Sequence, residues 1–294
     1  MPSDATEDPT SEGNAAQSKA FWNRITESKG DGDDLATFGT VTRDQDVVAL
    51  RDQLERNHVF RLLDLEPEMR VLDIGGGAGR FAIPVARRAA HVTLVDVSEA
   101  LLRVARQRAS EAGIRNVEFV CAPAQEFEPT GTYERILVMG LCTYLSDDEL
   151  ARFVDTLSRA LAPGGRLILK EPVSTDGTLH LDRGASPEEN YLARFRPREA
   201  YAEAFGERLR CTYQRASCSH PFPWFMHGTD GAVAGTRTGL GQRVLRAVAP
   251  FYVRLDPWML RMEIAMRRQP VVAKLLADVP VLTDIYVFEK AVGP

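Results

Sequence analysis

The chain has 294 residues, of which 44% are hydrophobic and 26% charged, and its formal net charge is −5. This acidic balance argues against a broad electrostatic grip on nucleic acid, and no apolar run is long enough to span a membrane. The 4 cysteines show no C-x-x-C spacing. We therefore expect a cytoplasmic protein with reduced thiols, with Cys121 and Cys142 buried at the ends of inner strands, and no metal site.

The N-terminal part combines a polar tail with helical segments. Residues 1–17 are rich in Ser, Thr, Asp and Glu and lack the basic and apolar regions of a signal peptide, which predicts a disordered tail. Residues 18–65 predict a helical segment or lid, with one helix over 46–65. Trp22 lies on this segment and has two interpretations, an aromatic cover over a ligand or a packing tryptophan. His58 is interpreted as a packing or surface residue.

The most informative stretch joins a strand, a glycine run and a helix. Residues 71–74 predict a buried strand, and residues 81–88 predict a helix. The glycine run Gly75-Gly76-Gly77-Ala78-Gly79 lies between them, where main-chain N–H groups are expected to contact a ligand without a Cβ in the way. Asp73 precedes the turn. A second apolar run ends in Asp96, about twenty residues after the first glycine, which is the place for a carboxylate that accepts from both hydroxyls of a ribose.

Further strands and helices alternate along the middle of the chain. This alternation predicts right-handed crossovers and a parallel sheet. Pro163 and the two glycines after it mark the end of a helix and the turn into a strand. The strands are predicted over 116–120, 133–139 and 161–169, and the helices over 99–112 and 147–161.

The last third of the chain contains two more predicted strands, over 208–220 and 282–289, and a helix that begins near Pro197. Residues 221–281 form a long insertion between these strands, rich in aromatic residues and methionine. Three interpretations stay open for it: a cap or lid over the ligand site, an interface between subunits of a homo-oligomer, or a contact with an anionic membrane surface. A parallel sixth strand would place the start of the insertion at the carboxyl edge of the sheet.

From about residue 50 to residue 175, the chain resembles the class I S-adenosylmethionine-dependent methyltransferases of the small-molecule type. The likeness lies in the G-x-G-x-G loop, the aspartate before it and the aspartate after the second strand. It implies an α/β fold with a Rossmann-like, doubly wound, mostly parallel seven-stranded sheet and helices on both faces. It also implies S-adenosyl-L-methionine as cofactor, a core over 66–220, and a last core strand and tail over 282–294.

The resemblance also implies roles for individual residues. Gly75 and Gly77 would pack under the methionyl part of the cofactor, with Asp73 near its ammonium group and Asp96 on the ribose. The further cofactor-binding candidates on this basis are Gly76, Gly79, Val97 beside the adenine, and Met139.

One part of the expected cofactor site departs from the family pattern. Relatives often have an aspartate after the third strand that accepts from the adenine amino group, and Pro123 stands at that place here. The backbone N–H of Ala124 remains as a donor to the ring, and Gln125 is the candidate for the missing acceptor.

Methyl transfer is an in-line displacement that depends mainly on alignment and exclusion of water, and a base is needed only for a protonated acceptor. Three residues are candidates for catalysis. Tyr144 is expected to orient a ligand or to pack in the core. Glu171 is a candidate base or amine ligand, with a capping or ion-paired carboxylate as the alternative. His180, expected in the loop after the fifth strand, is the best-placed histidine.

These features predict a methyltransferase that acts on an O, N or C atom of a small, lipophilic or aromatic metabolite, in the specialised metabolism of a bacterium. The fourth strand lacks the Asn/Asp-Pro-Pro-aromatic motif of nucleic-acid amino methyltransferases. Two alternatives remain. One is methylation of a protein or peptide N-terminus, and the other is a non-methylating, cofactor-binding cyclase or regulator.

Overall fold

A computed structural model describes residues 11–29, 45–174, 176–182, 192–216 and 281–291. Six helices lie in these ranges: α1 (Ser11–Lys29), α2 (Gln45–Leu63), α3 (Ala82–Ala86), α4 (Glu99–Glu111), α5 (Asp147–Ala160) and α6 (Arg198–Gly206). Short 3-10 turns occupy Ala124–Glu126 and Cys142–Tyr144. The strands are β1 (Arg70–Ile74), β2 (His91–Asp96), β3 (Val117–Cys121), β4 (Tyr133–Met139), β5 (Leu161–Ser174), β6 (His180–Asp182), β7 (Ala193–Pro197), β8 (Arg210–Ala216) and β9 (Val281–Glu289).

One twisted sheet organises the described part of the chain. Seven strands lie side by side in the order β3-β2-β1-β4-β5-β9-β8. All neighbours from β3 to β5 pair in parallel, and β9 runs antiparallel to both β5 and β8. The register places Ile74 beside Val95 and Val138. The prediction of a doubly wound, mostly parallel α/β sheet is therefore confirmed.

The core has two halves, one on each face of the sheet. Because side chains alternate along a strand, Leu72 and Ile74 of β1 face α5 and α6, whereas Val71 faces α2, α3 and α4. Strands that are covered on both faces read as nearly continuous apolar runs. β1 follows this pattern with one exception: Asp73 is as buried as its apolar neighbours.

Two strands beyond the expected seven extend the sheet. β5 continues to Ser174, past the last residue of β4 that pairs with it, Met139. β7 pairs in parallel with this extension, with Val173 opposite Arg196, and β6 pairs with β7. His180 therefore lies in a strand rather than in a loop. The sequence gives little signal for this hairpin, because β6 has only 3 residues and alternates around exposed side chains.

The N-terminal helix corrects the prediction of a disordered tail over 1–17. α1 begins at Ser11, and its later turns pack on α4. Phe21 is buried, and the Ser98 hydroxyl at the start of α4 donates to Asn23 Oδ1 at 2.6 Å. Docking on another helix stabilises a segment whose composition alone favours disorder.

Two further predictions concern the cysteines and the insertion. Cys142 is buried as expected, but Cys121 is exposed, because β3 is the edge strand of the sheet and not an inner one. The insertion predicted over 221–281, with Trp224 and Trp258, lies outside the described residues apart from Val281, so its three interpretations stay predictions. β8 runs parallel to β5, as predicted, so β8 ends at the carboxyl edge of the sheet. None of the described helices has the length and apolar character needed to cross a bilayer.

The start of α5 offers a test of this local structure. The Ser146 side chain accepts from the Glu149 backbone N–H, and the Glu149 side chain accepts from the Ser146 backbone N–H. We expect Ser146→Ala to lower the free energy of unfolding by about 1 kcal/mol. Ser158→Ala is the control, because the Ser158 hydroxyl bonds to Asp155 O within the helix. Urea unfolding of both variants measures the difference, and equal stabilities would contradict the capping role.

Candidate functional site

The glycine loop joins β1 to α3 and is held tightly against β2. Gly77 has a φ of 54°, in the left-handed region that side chains disfavour, and a Cβ at Gly76 would lie 2.9 Å from the Asp73 carboxylate. The backbone N–H groups of Gly75 and Gly76 both donate to Val95 O, at 2.8 and 3.2 Å. The N–H of Gly79 donates to Gly76 O at 3.0 Å. These N–H groups are thus bonded within the protein, and the expectation that they face a ligand is wrong.

Asp96 fixes the loop from the end of β2. Its Oδ2 accepts from the Gly77 N–H at 2.9 Å, and its Oδ1 accepts from the Ser98 N–H at 2.8 Å. Burial raises the pKa of Asp96 to about 6, although the backbone donors oppose the shift. A carboxylate oxygen has two lone pairs and can accept more than one hydrogen bond. Asp96 therefore holds the loop and keeps acceptor capacity for ligand hydroxyls.

Asp73 has fewer hydrogen bonds than Asp96, its acidic neighbour at this edge. Its side chain is 1% exposed, and its Oδ2 has no hydrogen-bond partner among the described residues. Burial raises its pKa to about 7, the negative charge of Asp96 adds to the shift, and the Ala82 N–H and the Arg80 guanidinium oppose it. A buried polar atom without a partner is costly and calls for an explanation. A ligand that brings a charged donor, such as an ammonium group, supplies one.

The candidates around the expected adenine subsite lie beside this pair. Val97 follows Asp96 directly and is half-buried. The turn after β3 adjoins it, because the Ala122 N–H donates to Asp96 O at 3.1 Å. Ala124 is buried in this turn, and Gln125 Nε2 donates to Glu149 Oε1 at 3.1 Å. Gln125 Oε1 thus keeps its acceptor capacity.

A pair of aromatic side chains, Trp22 and Tyr144, borders the same edge and is called the aromatic rim. The Trp22 ring of α1 meets the Tyr144 ring edge-on, with the two centroids 6.0 Å apart. Tyr144 lies in the 3-10 turn after β4, and Met139, the last residue of β4, is half-buried near it in sequence. α1 therefore reaches from α4, next to Asp96, to the loop after β4. This position fits the interpretation of Trp22 as part of a cover.

Glu171 anchors the loop after β4. It is fully buried, and its oxygens accept from the backbone N–H groups of Leu141 at 2.9 Å, Cys142 at 2.8 Å and Thr143 at 3.2 Å. Burial raises the pKa of Glu171 to about 7 against these donors. A carboxylate engaged with three backbone donors is arranged to fix a loop, and this geometry favours the capping alternative over a general base.

His180 lies on β6 and forms a pair with an acidic residue. Its Nε2 is 2.8 Å from Asp176 Oδ2 and 3.2 Å from the Thr178 hydroxyl. The backbone N–H and hydroxyl of Thr178 lower the pKa of Asp176 to about 2. Asp176 is therefore charged at neutral pH and orients the imidazole. Glu171 lies on β5 and Tyr144 in the 3-10 turn after β4, and the Thr143 hydroxyl of that turn donates to Arg194 O of β7, the partner strand of β6.

Sequence reasoning missed two buried cations near the site. Arg196 of β7 donates to Cys142 O at 2.8 Å, to Leu145 O at 2.5 Å and to Asp147 Oδ1 at 2.8 Å, so it fixes the loop after β4 from the side opposite Glu171. Lys170 of β5 pairs with Glu55 of α2. A single Arg or Lys in a linear sequence carries no signal of such burial, because its partners lie on distant segments.

The geometry agrees with the comparison to known proteins. The profile of a family described as a methyltransferase domain matches residues 71–165, the span from β1 through the turn into β5. Residues 71–165 are a class I S-adenosylmethionine-dependent methyltransferase domain. S-adenosylmethionine is the cofactor of this domain, and the unpartnered Asp73 oxygen and the spare acceptor capacity of Asp96 fit its ammonium and ribose hydroxyl donors.

Relatives of this domain differ in what they methylate. A ubiquinone/menaquinone biosynthesis C-methyltransferase of Bordetella parapertussis is 35% identical over 111 residues, 36% of this chain and 42% of that protein. An N-terminal Xaa-Pro-Lys N-methyltransferase of mouse (Mus musculus) is 32% identical over 113 residues, 37% of this chain and 49% of that protein. The chain thus spans less than half the length of these two relatives.

A solved structure gives the fold over a larger part of the chain. It is a phosphoethanolamine N-methyltransferase of Haemonchus contortus in complex with phosphoethanolamine and S-adenosylhomocysteine. The TM-score is 0.58 at 18% identity, over 97% of this chain and 51% of that one. The likeness supports the methyltransferase fold and leaves the acceptor to be argued from this chain's own residues.

The Asp73 oxygen that has no partner among the described residues leads to a prediction about both stability and binding. A pKa raised to about 7 means that the charged form destabilises the fold above that pH, and the penalty fades as the pH falls toward the unfolded value of 3.8. We expect Asp73→Asn to stabilise the ligand-free protein at pH 8 by about 1–2 kcal/mol, since the buried amide still lacks one partner. The gain should shrink at pH 5.

The same variant should lose the stabilisation that S-adenosylhomocysteine gives the native protein, because the amide no longer attracts an ammonium group. Thermal unfolding with and without S-adenosylhomocysteine measures both effects. Glu68→Gln, at an exposed site, is the matched control and should change neither. Retention of full ligand stabilisation in Asp73→Asn would remove Asp73 from the cofactor site.

Proposed function

We propose that this protein transfers a methyl group from S-adenosylmethionine to an O, N or C atom of a small, lipophilic or aromatic molecule. The observation that carries the proposal is the aromatic rim, in which Trp22 of α1 meets Tyr144 of the loop after β4. When bound, the cofactor supplies an electrophilic methyl group on a sulfonium centre. The protein has to align the acceptor with that group and keep water away.

The rim supports a small apolar acceptor for two reasons. Sites for small molecules are mostly apolar, with a few polar groups that set orientation, and Trp22, Tyr144 and the half-buried Leu141 and Met139 are of this kind. α1 also lies across the carboxyl edge, so a bound acceptor would be enclosed. The net charge of −5 adds nothing that would attract a nucleic acid.

We further propose that His180 accepts the proton when the acceptor is protonated. Asp176 Oδ2 lies 2.8 Å from His180 Nε2, so the charged carboxylate holds a proton on that nitrogen and leaves Nδ1 as the basic atom. Histidine is the side chain that most often acts as a general base in enzymes, whereas a phenol is a poor one. Tyr144 is left to orient the acceptor, and Glu171 to hold the loop that carries Tyr144.

One observation favours a second candidate function. The similarity to the N-terminal Xaa-Pro-Lys N-methyltransferase, 32% over 113 residues, is comparable to that to the ubiquinone/menaquinone C-methyltransferase, 35% over 111 residues. A peptide N-terminus is a polar, extended acceptor and would need an open groove with acidic or amide groups. The aromatic rim under α1 favours the small apolar acceptor instead.

An activity screen tests the proposal. The protein should be incubated with methyl-labelled S-adenosylmethionine and two acceptor panels, one of phenols, quinols and lipophilic amines and one of peptides with varied N-termini. We expect a mass gain of one methyl group within the small-molecule panel and none among the peptides. Trp22→Ala should raise the acceptor KM by on the order of tenfold and leave the Kd of S-adenosylhomocysteine nearly unchanged.

Other results would contradict the proposal. Label on peptides alone would favour N-terminal methylation. Product formation that needs bound cofactor but adds no methyl group would favour a cyclase, and tight cofactor binding with no turnover on either panel would favour a regulator.

The proposed base has a separate test. With an accepted substrate that carries a proton on the acceptor atom, His180→Asn should lower kcat by about 10²–10⁴-fold. It should also remove the acid limb of the pH–rate profile. Asp176→Asn should cause a smaller loss, because the imidazole is retained but no longer oriented. Leu181→Ala, at a neighbouring exposed position, is the control and should keep normal kinetics. An unchanged pH profile in His180→Asn would rule out His180 as the base.

A further inference from the structure

A largely buried cluster of charged side chains links α2 to the glycine loop and to β5. Glu55 of α2 is completely buried and is the centre of the cluster. Lys170 Nζ lies 3.2 and 3.1 Å from its two oxygens. Arg80, the residue after Gly79, donates from Nη2 to Glu55 Oε2 at 2.9 Å, and its Nε bonds to Asp52.

The members of the cluster come from three parts of the fold. Asp52 and Glu55 lie one turn apart on α2, Arg80 ends the glycine loop, and Lys170 is the residue of β5 opposite Met139 of β4. Arg56 of α2 also pairs with Asp52, at 2.7 Å. Both Glu55 and Lys170 lie outside residues 71–165, so the family profile does not include them.

Buried charges are expensive to remove from water, and replacement by apolar residues is often neutral or stabilising. Stability alone therefore gives a weak reason for a buried Glu–Lys–Arg cluster. The arrangement does restrict the orientation of Arg80, because its planar guanidinium is held by carboxylates from two positions of α2. This restraint also restricts the backbone at the end of the loop. Arg80 also lowers the pKa of Asp73, so its placement influences the carboxylate that faces the ligand.

We propose that Glu55 is a positioning residue for the cofactor: through Arg80, it holds the glycine loop in the conformation that receives the amino acid end of S-adenosylmethionine. Lys170 contacts both oxygens of Glu55 and so orients the carboxylate. The inference deepens the proposed function. Its test is a binding measurement and so does not depend on turnover or on the identity of the acceptor.

Binding of two ligands to one variant tests the proposal. S-adenosylhomocysteine has the amino acid tail, and 5′-methylthioadenosine lacks it. We expect Glu55→Gln to weaken S-adenosylhomocysteine by at least about tenfold in calorimetry, the effect of losing one charged hydrogen bond. The affinity for 5′-methylthioadenosine should change by less than about threefold, within the scatter of an indirect effect.

A second variant separates positioning from folding. Glu55→Gln combined with Lys170→Met also removes the buried ammonium group that the single variant deprives of its ion pair with Glu55, and it should recover the melting temperature lost in the single variant. It should not recover the affinity for S-adenosylhomocysteine, because Arg80 still lacks its ion pair with the Glu55 carboxylate. If Glu55→Gln does not fold, this double variant is measured in its place.

Tyr213→Phe is the matched control, because Tyr213 lies on β8 and contacts the same helix, α2, away from Glu55. It removes the 2.6 Å hydrogen bond between His58 of α2 and the Tyr213 hydroxyl without touching the loop. It should lower the melting temperature and keep both affinities. The proposal is overturned by normal S-adenosylhomocysteine affinity in Glu55→Gln or in the double variant, by equal weakening of both ligands, or by a similar loss in Tyr213→Phe.

Discussion

Two carboxylates at the ends of neighbouring parallel strands are the constraint on which the site depends. The register of β1 and β2 puts Asp73 and Asp96 at the same edge, where both are buried. Burial raises both pKa values, to about 7 and about 6. Asp96 is stabilised by the Gly77 and Ser98 N–H groups, whereas Asp73 keeps one oxygen without a partner among the described residues. The buried Asp73 Oδ2 can therefore accept a hydrogen bond from a ligand. The ammonium group of the cofactor is such a donor.

The rest of the described edge is shaped by buried charges that hold backbone in place. Glu171 and Arg196 fix the loop after β4 from two sides, one by accepting from N–H groups and the other by donating to carbonyls. At the end of the glycine loop the contact is between side chains, because Arg80 donates to Glu55 of α2. Loops that carry function need a rigid support, and charged hydrogen bonds supply stronger and more directional support than apolar contacts. Glu171 and Glu55 are therefore assigned supporting roles rather than contacts with the reacting groups.

The amino-acid pattern predicts the strands of the core well, because each depends on local features. A short apolar run that ends in an acidic residue predicts a strand end, and this holds for Asp96, the last residue of β2, and to within one residue for Asp73 of β1. The cofactor-binding roles of the two carboxylates stay predictions. Partners that are distant in sequence could not be predicted. The three backbone donors around Glu171 come from about thirty residues earlier in the chain. The helix at Ser11 likewise depends on docking rather than on composition.

Proton release on cofactor binding tests the central claim most directly. If donors of S-adenosylhomocysteine bond to the ionised forms of Asp73 and Asp96, binding must expel the protons that these groups hold in the free protein. Calorimetry at pH 6.5 in buffers of different ionisation enthalpy should then show release of between about half a proton and one proton per ligand, falling to near zero at pH 8.5. Binding with no proton release at pH 6.5, or with proton uptake, would contradict the account.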